Sequence, residues 1–189
     1  MCAKLNIGIG DEVLPKYINV SKSEKKSTEV KHDYDITPWP WESSFFEEIR
    51  IVGVLEKVKN FVQVMEEIHR IGKPGCIVKI RVPYFHSSSG SSDPLNLRRF
   101  TFASFDYLTK ERNQDPEREG FGYDYTDKFF EIKQIRSEPT KIGRFIPNWK
   151  YPARFFARNK FIGNRDAISH FIGELNETLY FELKIVKEG

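Results

Sequence analysis

Glu48-Ile-Arg-Ile-Val-Gly53 and Ile77-Val-Lys-Ile-Arg-Val82 are two runs of strand length near the middle of the chain, within the segment 45–83. The first run is rich in apolar residues, and the second alternates apolar with charged residues, as a strand does. Between the two runs, apolar residues recur at helical spacing and fall on one face of a helix: Phe61, Met65, Ile68 and Ile71.

Local signals also set the ends of this helix. Asn60, with Gln63 three positions later, is a weak form of the capping box, and Gly72 ends the periodic pattern. The order is therefore strand, helix, strand. Parallel strands joined in this way cross over right-handed, and such a sheet binds its ligand at the carboxyl ends of its strands. Here those ends are residues 53–58 and 83–93, where we expect functional residues.

Length and composition indicate one globular domain over residues 1–189. A formal net charge of +3 is too small by itself to imply a polyanionic partner. The two cysteines, Cys2 and Cys76, make neither a disulfide framework nor a cysteine metal site plausible, and no histidine and carboxylate cluster suggests a metal. No apolar run approaches the ~20 residues of a membrane span, and no signal-peptide core begins the chain. We therefore expect a cytoplasmic protein without a metal or membrane partner.

Four further strands are predicted outside the central unit, over residues 4–8, 17–20, 129–136 and 179–187. The first of them runs into Gly8-Ile-Gly10, where two glycines allow a close approach of the backbone to a ligand or a turn with positive φ. A plain tight turn and a cofactor loop explain this spacing equally well. The connection to the second strand is too short for an ordinary parallel crossover and must be abbreviated.

Two loops carry distinctive side chains. The prolines of Thr37-Pro-Trp-Pro-Trp41 exclude regular structure, and its tryptophans predict a hydrophobic plug under the edge of the sheet. Residues 83–94 are rich in serine and follow the end of a strand, which suits a substrate-side loop and an ordinary surface loop equally well. A further helix is predicted over 101–110, with Phe102 and Phe105 on its buried side.

An insert separates the last two predicted strands, at about residues 137–178. Within 141–165 it has seven lysines or arginines and no acid, and six aromatic residues are interleaved with them: Phe145, Trp149, Tyr151, Phe155, Phe156 and Phe161. Such a stretch can bind single-stranded nucleic acid through phosphate contacts and base stacking. It can also be a capping subdomain whose aromatics face inward, which its prolines and a predicted helix over 164–176 favour. Nucleic acid is therefore the less favoured partner.

Short stretches over residues 4–110 follow one another in a characteristic order: Leu5-Asn-Ile-Gly-Ile-Gly10, Tyr17-Ile-Asn-Val20, His32-Asp33 with Pro38-Trp-Pro40, 44–49, Val54-Leu-Glu-Lys57, 65–75, Lys79-Ile-Arg-Val-Pro83, Ser92-Asp-Pro94 and 99–105. In this order they resemble the S-adenosylmethionine-dependent methyltransferases of the class I fold, in particular the small type 11 domains. The order carries the resemblance more than any single stretch does.

This resemblance implies an α/β, Rossmann-like sheet of seven strands, mostly parallel with the last strand antiparallel, and helices on both faces. It also implies S-adenosyl-L-methionine as the cofactor. The implied cofactor site combines four segments: Gly8, Ile9 and Gly10 at the amino-acid part, Ser21 at the ribose, Asp33 and Tyr34 at the adenine, and Gly53 with Val54 on the methionine side.

The chain departs from the family pattern at several positions. Ser21 stands where the family has an acid that holds the ribose hydroxyls, and Lys57 replaces a customary histidine. The helix that normally precedes the first strand is missing, so one face of the sheet is short of cover. A second copy of the chain, forming a homodimer, or a rearranged C-terminal helix would fill that face.

The resemblance leaves three functions open. The first is a methyltransferase with an unidentified acceptor, in which His86 is the preferred base because histidine is the residue type suited to proton transfer near neutral pH, and Asp93 is a second candidate. The second is a methyltransferase-like fold that has lost its cofactor and serves as a binding or scaffold protein. The third is an RNA-binding module that uses the basic aromatic insert.

Overall fold

The computed structural model describes residues 3–8, 13–22, 29–110, 125–139 and 176–187. Seven strands run through these residues: β1 (Ala3–Ile7), β2 (Ile18–Ser21), β3 (Val30–Lys31), β4 (Phe46–Val52), β5 (Gly72–Pro83), β6 (Phe129–Pro139) and β7 (Asn176–Val186). Two helices lie within the same residues, α1 (Phe61–Ile71) and α2 (Ser88–Ser92), and a short 3₁₀ helix spans Asp106–Leu108. None of the helices in the described ranges is long and apolar enough to cross a membrane.

The seven strands form one sheet in the order β3-β2-β1-β4-β5-β7-β6. The pairs from β3 to β5 are all parallel, whereas β7 is antiparallel to both β5 and β6. The prediction of a mostly parallel sheet with an antiparallel last strand is therefore confirmed. Because β1 to β5 run in the same direction, their carboxyl ends lie along one edge of the sheet.

The central helix forms where its capping signals place it. The side chain of Asn60 accepts a hydrogen bond from the backbone N–H of Gln63, and α1 ends at Ile71. Gly72 then has extended backbone angles and is the first residue of β5, so the chain passes from helix to strand without a loop. A Cβ atom at Gly72 would lie 2.3 Å from Cδ1 of Ile185, so glycine lets this junction pack tightly against β7.

The two faces of the sheet differ because apolar and polar residues alternate along its strands. One row across neighbouring strands is polar, and it consists of Asn6, Arg50, Lys79 and Glu182. The opposite face is a buried apolar layer: Leu5, Ile7, Ile49, Ile51, Val78, Ile80, Val82, Leu179, Phe181, Leu183 and Ile185. Val64, Met65 and Ile68 of α1 belong to the same core cluster, so the helix packs on this apolar face.

The other side, which we call the polar face, is held by cross-strand pairs. The carboxylate of Glu48 accepts hydrogen bonds from the Tyr17 hydroxyl, Lys4 Nζ at 3.3 Å and Lys79 Nζ at 2.8 Å. These pairs let the face contact water without a covering layer. No helix in the described part of the chain covers this face, and the homodimer expected there stays a prediction.

The tryptophan loop is the plug that its sequence predicts. Trp39 is buried, and Trp41 packs against the core at the start of β4. Two side chains of α1 hold the loop: Glu67 accepts the Trp39 backbone N–H at 2.7 Å, and Arg70 donates to the Trp39 carbonyl at 3.0 Å and the Trp41 carbonyl at 2.8 Å. Arg70 also donates to the carboxylate of Glu67, so the two side chains together connect α1 to the tryptophan loop.

The helix predicted over 101–110 is wrong. The chain makes turns there, followed by the short 3₁₀ helix. Thr101 accepts the Ala103 N–H on its side chain and donates its own N–H to the Ser104 hydroxyl, and such local bonds compete with a helix. Phe102 and Phe105 are nevertheless buried, as expected.

Part of the abbreviated crossover between β1 and β2 lies in the described residues. Val13 to Lys16 form coil and a turn, and the buried side chain of Asn19 ties them to the sheet. Its Oδ1 accepts the Leu14 N–H at 3.1 Å, and its Nδ2 donates to the carbonyls of Leu14 and Tyr17. The insert beyond β6, including its predicted helix, lies outside the described residues from 140 to 175, as do Ile9 and Gly10.

Two partly or fully buried histidines predict a pH-dependent stability. Burial lowers the pKa of His32 and the pKa of His69, although His69 Nε2 donates to the Val186 carbonyl. The unfolded chain therefore binds protons at a higher pH than the folded protein does. The stabilisation is complete above the unfolded pKa of about 6.5 and is lost as the pH falls below it towards the folded values. We expect the urea concentration at the unfolding midpoint to decrease as the pH is lowered from 7.5 to 5.5. The decrease should be smaller in His69→Gln, and an equal decrease in the variant and the wild type would contradict this assignment.

Candidate functional site

Gly8 directly follows β1 and lies close to the ends of β2 and β4. Its backbone has a φ of +73°, and its N–H donates to the Val20 carbonyl and to the Tyr34 hydroxyl, each at 3.1 Å. A Cβ atom at this position would lie 2.1 Å from Cγ2 of Val54 and 2.4 Å from the Val52 carbonyl oxygen. Glycine is therefore required both for the left-handed backbone and for the close approach to the end of β4.

Tyr34 closes the space between β1 and β2. Its hydroxyl donates to the Val20 carbonyl at 3.0 Å while it accepts the Gly8 N–H, and the residue is buried. Burial raises the pKa of Tyr34 to about 12, so the phenol stays protonated at neutral pH. The ring thus links the two strand ends from inside the protein.

Asp33 and Ser21 lie beside each other at the ends of β3 and β2. The Ser21 carbonyl accepts the His32 N–H at 3.0 Å, which fixes the turn that carries Asp33. Lys22 Nζ is 2.9 Å from Oδ1 of Asp33, and this hydrogen bond lowers the pKa of the carboxyl. Lys22, which follows Ser21 in the sequence, thus pairs with the carboxylate that is predicted to bind the adenine.

The structure brings together the described residues that the sequence predicts for cofactor binding. Contacts join Val54 to Gly8 and Gly8 to Tyr34, and Ser21 precedes the Lys22 that pairs with Asp33. Gly53 follows β4 at the same edge with a φ of +66°.

A cavity of about 230 Å³ opens beside Gly53, at the carboxyl ends of β4 and β5. Its lining consists of Val52, Gly53, Glu56, Arg81, Val82, Pro83, Ser89, Asp93, Asn96 and Thr178. A depression of about 540 Å³ also lies on the polar face, but it includes charged residues that are already paired, namely Lys79 with Glu48 at 2.8 Å and Arg81 with Glu138 at 3.7 Å. We therefore take the smaller cavity, at the ligand edge of the sheet, as the candidate acceptor site.

The two candidate bases differ in position. Asp93 lines the cavity and accepts the Leu95 N–H at 2.9 Å, and it pairs with Lys57 at 3.0 Å. The hydrogen bond from Leu95 and, to a smaller extent, the one from Lys57 lower the pKa of Asp93, which makes it a weaker base. His86 lies on the Phe85 ring, with centroids 4.2 Å apart, and it is not among the described residues that line the cavity.

Glu56 is a residue that the sequence reasoning missed. It is only 4% exposed, and its Oε2 has no hydrogen-bond partner. Burial raises the pKa of Glu56. Its position in the sequence was a signal for a functional residue, because Glu56 follows Val54-Leu55 directly after a predicted strand end. Its burial, however, depends on a loop that is distant in the sequence. The Glu56 carbonyl accepts the N–H groups of Leu97 and Arg98, which fasten that loop over it.

The sequence matches no protein-family model and no curated protein. Solved structures match nearly the whole chain. YcgJ of Bacillus subtilis has a TM-score of 0.58 at 13% identity, with 100% of this chain and 94% of that chain covered. The chain has the class I methyltransferase fold. A SAM-dependent methyltransferase of Archaeoglobus fulgidus has a TM-score of 0.56 at 14% identity, covering 97% and 86%.

A third match is a Haloferax volcanii protein solved with the Trm112 methyltransferase activator, with a TM-score of 0.53 at 12% identity, covering 99% and 83% of the two chains. At these identities the likeness concerns the fold. In this methyltransferase fold, the cluster around Gly8 and the cavity beside Gly53 lie along the same carboxyl edge of the sheet.

Proposed function

We propose that this protein is an S-adenosylmethionine-dependent methyltransferase of the type 11 kind. The observation that supports the proposal is that Gly8, Ser21, Asp33 and Gly53 lie at or just beyond the carboxyl ends of parallel strands, in a sheet with methyltransferase strand order. The Archaeoglobus fulgidus neighbour, which shares the fold, is a SAM-dependent enzyme. The acceptor would bind in the cavity beside Gly53.

The residues at this edge fit a nucleoside sulfonium. Gly8 has no side chain to obstruct the ends of β1 and β4, and Ser21 has a hydroxyl at the predicted ribose position. The Asp33 carboxylate can accept the exocyclic amino protons of adenine. The cofactor would supply a methyl group already activated by a positive charge, so this chain mainly has to orient the acceptor and exclude water.

Asp33 provides a direct test of cofactor binding. We expect the wild type to bind S-adenosylhomocysteine at one site in titration calorimetry. Asp33→Asn should bind about tenfold more weakly, or about 1.4 kcal/mol, because the amide loses the charge and half of the acceptor capacity. Asp127→Asn is the matched control, since Asp127 is an exposed carboxylate paired with Lys128 at the start of β6. Equal affinities of Asp33→Asn and the wild type would remove Asp33 from the site.

A scaffold protein without cofactor is the second candidate, and two observations favour it. The Gly8 N–H is already bonded to the Val20 carbonyl and the Tyr34 hydroxyl, and Asp33 is already paired with Lys22. A ligand would have to compete with these internal partners. The same titration separates the candidates, because a scaffold gives no heat with either S-adenosylmethionine or S-adenosylhomocysteine.

A further inference from the structure

Two residues that line the cavity beside Gly53 each have a buried side-chain oxygen atom with no hydrogen-bond partner among the described residues. One is Oε2 of Glu56, a residue that is 96% removed from solvent, and the other is Oδ1 of Asn96. The Asn96 amide group has a defined orientation, because its Nδ2 donates to the Ser89 carbonyl at 3.1 Å. Leaving a buried acceptor unsatisfied costs about 1–3 kcal/mol, so such a pair of oxygens indicates a missing donor.

The other charged groups that line the cavity already have partners. Asp93 pairs with Lys57 at 3.0 Å, and the Arg81 guanidinium lies over the Tyr180 ring and 3.7 Å from Glu138. No ion pair of Glu56 occurs in the described part of the protein. The lining of the cavity therefore includes one carboxyl without an ion pair and one amide oxygen without a hydrogen-bond donor.

Both oxygens are hydrogen-bond acceptors, so a ligand that binds them must supply hydrogen-bond donors. An ammonium group has three N–H donors and a positive charge, so it has enough donors for two acceptor oxygens and can neutralise Glu56. An alcohol has one O–H donor and no charge. We propose that the cavity binds a primary amine in its ammonium form through Glu56 Oε2 and Asn96 Oδ1. The reading of this amine as the methyl acceptor rests on the proposed function.

The position of Glu56 suits the proton transfer that such an acceptor requires. An ammonium nitrogen has no lone pair until it loses a proton; when its N–H bond breaks, the proton can form an O–H bond at Oε2, and the lone pair stays on nitrogen. Burial raises the pKa of Glu56, which narrows the gap to the pKa of the amine. A Cβ atom at Gly53, on the predicted methionine side, would be 3.7 Å from Glu56 Oε1, so this carboxyl lies next to the predicted donor end.

The test is an NMR titration of protein labelled with ¹³C at the glutamate carboxyl carbons. Butylammonium chloride and butanol are the two probes, and each is titrated with and without S-adenosylhomocysteine. The Glu56 signal is assigned by its loss in Glu56→Gln. We expect butylammonium to shift this signal saturably and to bind at least tenfold more tightly than butanol.

Variants decide whether the two oxygens carry the binding. Glu56→Gln should weaken butylammonium at least tenfold, and Asn96→Ala should weaken it severalfold. Glu42→Gln removes an exposed carboxylate outside the cavity lining and should change nothing. Urea unfolding of each variant shows whether it is folded, and Asn96→Ala leaves the carboxyl intact if Glu56→Gln does not fold.

Three results would overturn the proposal. They are equal affinity for the two probes, unchanged butylammonium affinity in both variants, and a loss of S-adenosylhomocysteine binding in Glu56→Gln with butylammonium binding retained. The last result would assign the carboxyl to the cofactor. The titration without nucleoside tests the amine site by itself, and the nucleoside titration tests the proposed function, so either can fail while the other stands.

Discussion

Replacing Gly8 by alanine should lower the free energy of unfolding by about 3 kcal/mol. The new Cβ would meet Val54 Cγ2 at 2.1 Å and the Val52 carbonyl oxygen at 2.4 Å, and the backbone oxygen can move only if β4 moves. The φ of +73° adds strain for any residue with a side chain. For a chain of this size, the melting temperature should fall by roughly 6–12 °C. Urea unfolding monitored by circular dichroism measures the change directly.

Gly53→Ala is the matched control for this prediction. Gly53 has a similar φ of +66°, but the atom nearest to its added Cβ is Glu56 Oε1 at 3.7 Å, an ordinary contact. Only backbone strain remains, and we expect a loss of about 1 kcal/mol. Equal losses in the two variants would show that the close approach at Gly8 does not matter. The double variant Gly8→Ala/Val54→Ala should recover part of the loss, because it removes the side-chain contact and leaves the backbone contact.

Arg70→Met should destabilise the protein by about 3 kcal/mol. The substitution removes hydrogen bonds to the carbonyls of Trp39 and Trp41 and leaves the carboxylate of Glu67 without its cation. Glu67 is only 9% exposed, so water cannot fully replace the guanidinium. Methionine keeps most of the apolar stem of arginine, which confines the effect to the lost polar interactions. The urea midpoint of the variant, compared with that of the wild type, gives the change.

A double-mutant cycle isolates the Glu67 and Arg70 pair. The double variant Glu67→Gln/Arg70→Met should be more stable than the sum of the single variants predicts, because it leaves no buried charge unpaired. Burial alone would raise the pKa of Glu67, but the bonds from Arg70 and the Trp39 N–H lower it below its usual value. The pair therefore stabilises the protein above the unfolded pKa of glutamate, and the effect is lost as the pH falls through the folded value. Additive losses at neutral pH would contradict the coupling.

The parts of the fold that follow from local signals were predictable. The cap at Asn60, the stop at Gly72 and the alternation in β5 and β7 each need only a few neighbouring residues. β3 was not predicted, because two residues carry no periodicity and Val30 is a strand only through its pairing with Val20. The wrong helix over 101–110 has a similar cause, since the aromatic spacing that suggested it also fits turns facing the core.

The candidate site also contains some residues that could be predicted from the sequence and one that could not. Gly8 and Asp33 were assigned from the resemblance, and both follow strand ends at one edge of the sheet because β1, β2 and β3 are parallel. Glu56 could not be assigned, because its burial depends on residues 93–98 folding back over it. For Tyr34, the resemblance implied a position facing the adenine. The structure shows in addition that its hydroxyl forms hydrogen bonds at the ends of β1 and β2, which the sequence did not indicate.

The charged surface on one side of the sheet also governs how accurately the strands can align during folding. Because side chains alternate between the two sides, a shift of one residue in the register of β5 would bury Lys79 and Arg81 in the apolar layer beneath α1 and expose Val78 and Ile80 to water. Such a shift would therefore be unfavourable because it buries several charged side chains at once. Substituting these charges by valine or threonine would remove that penalty, so we expect misregistered and aggregated sheets to form more readily.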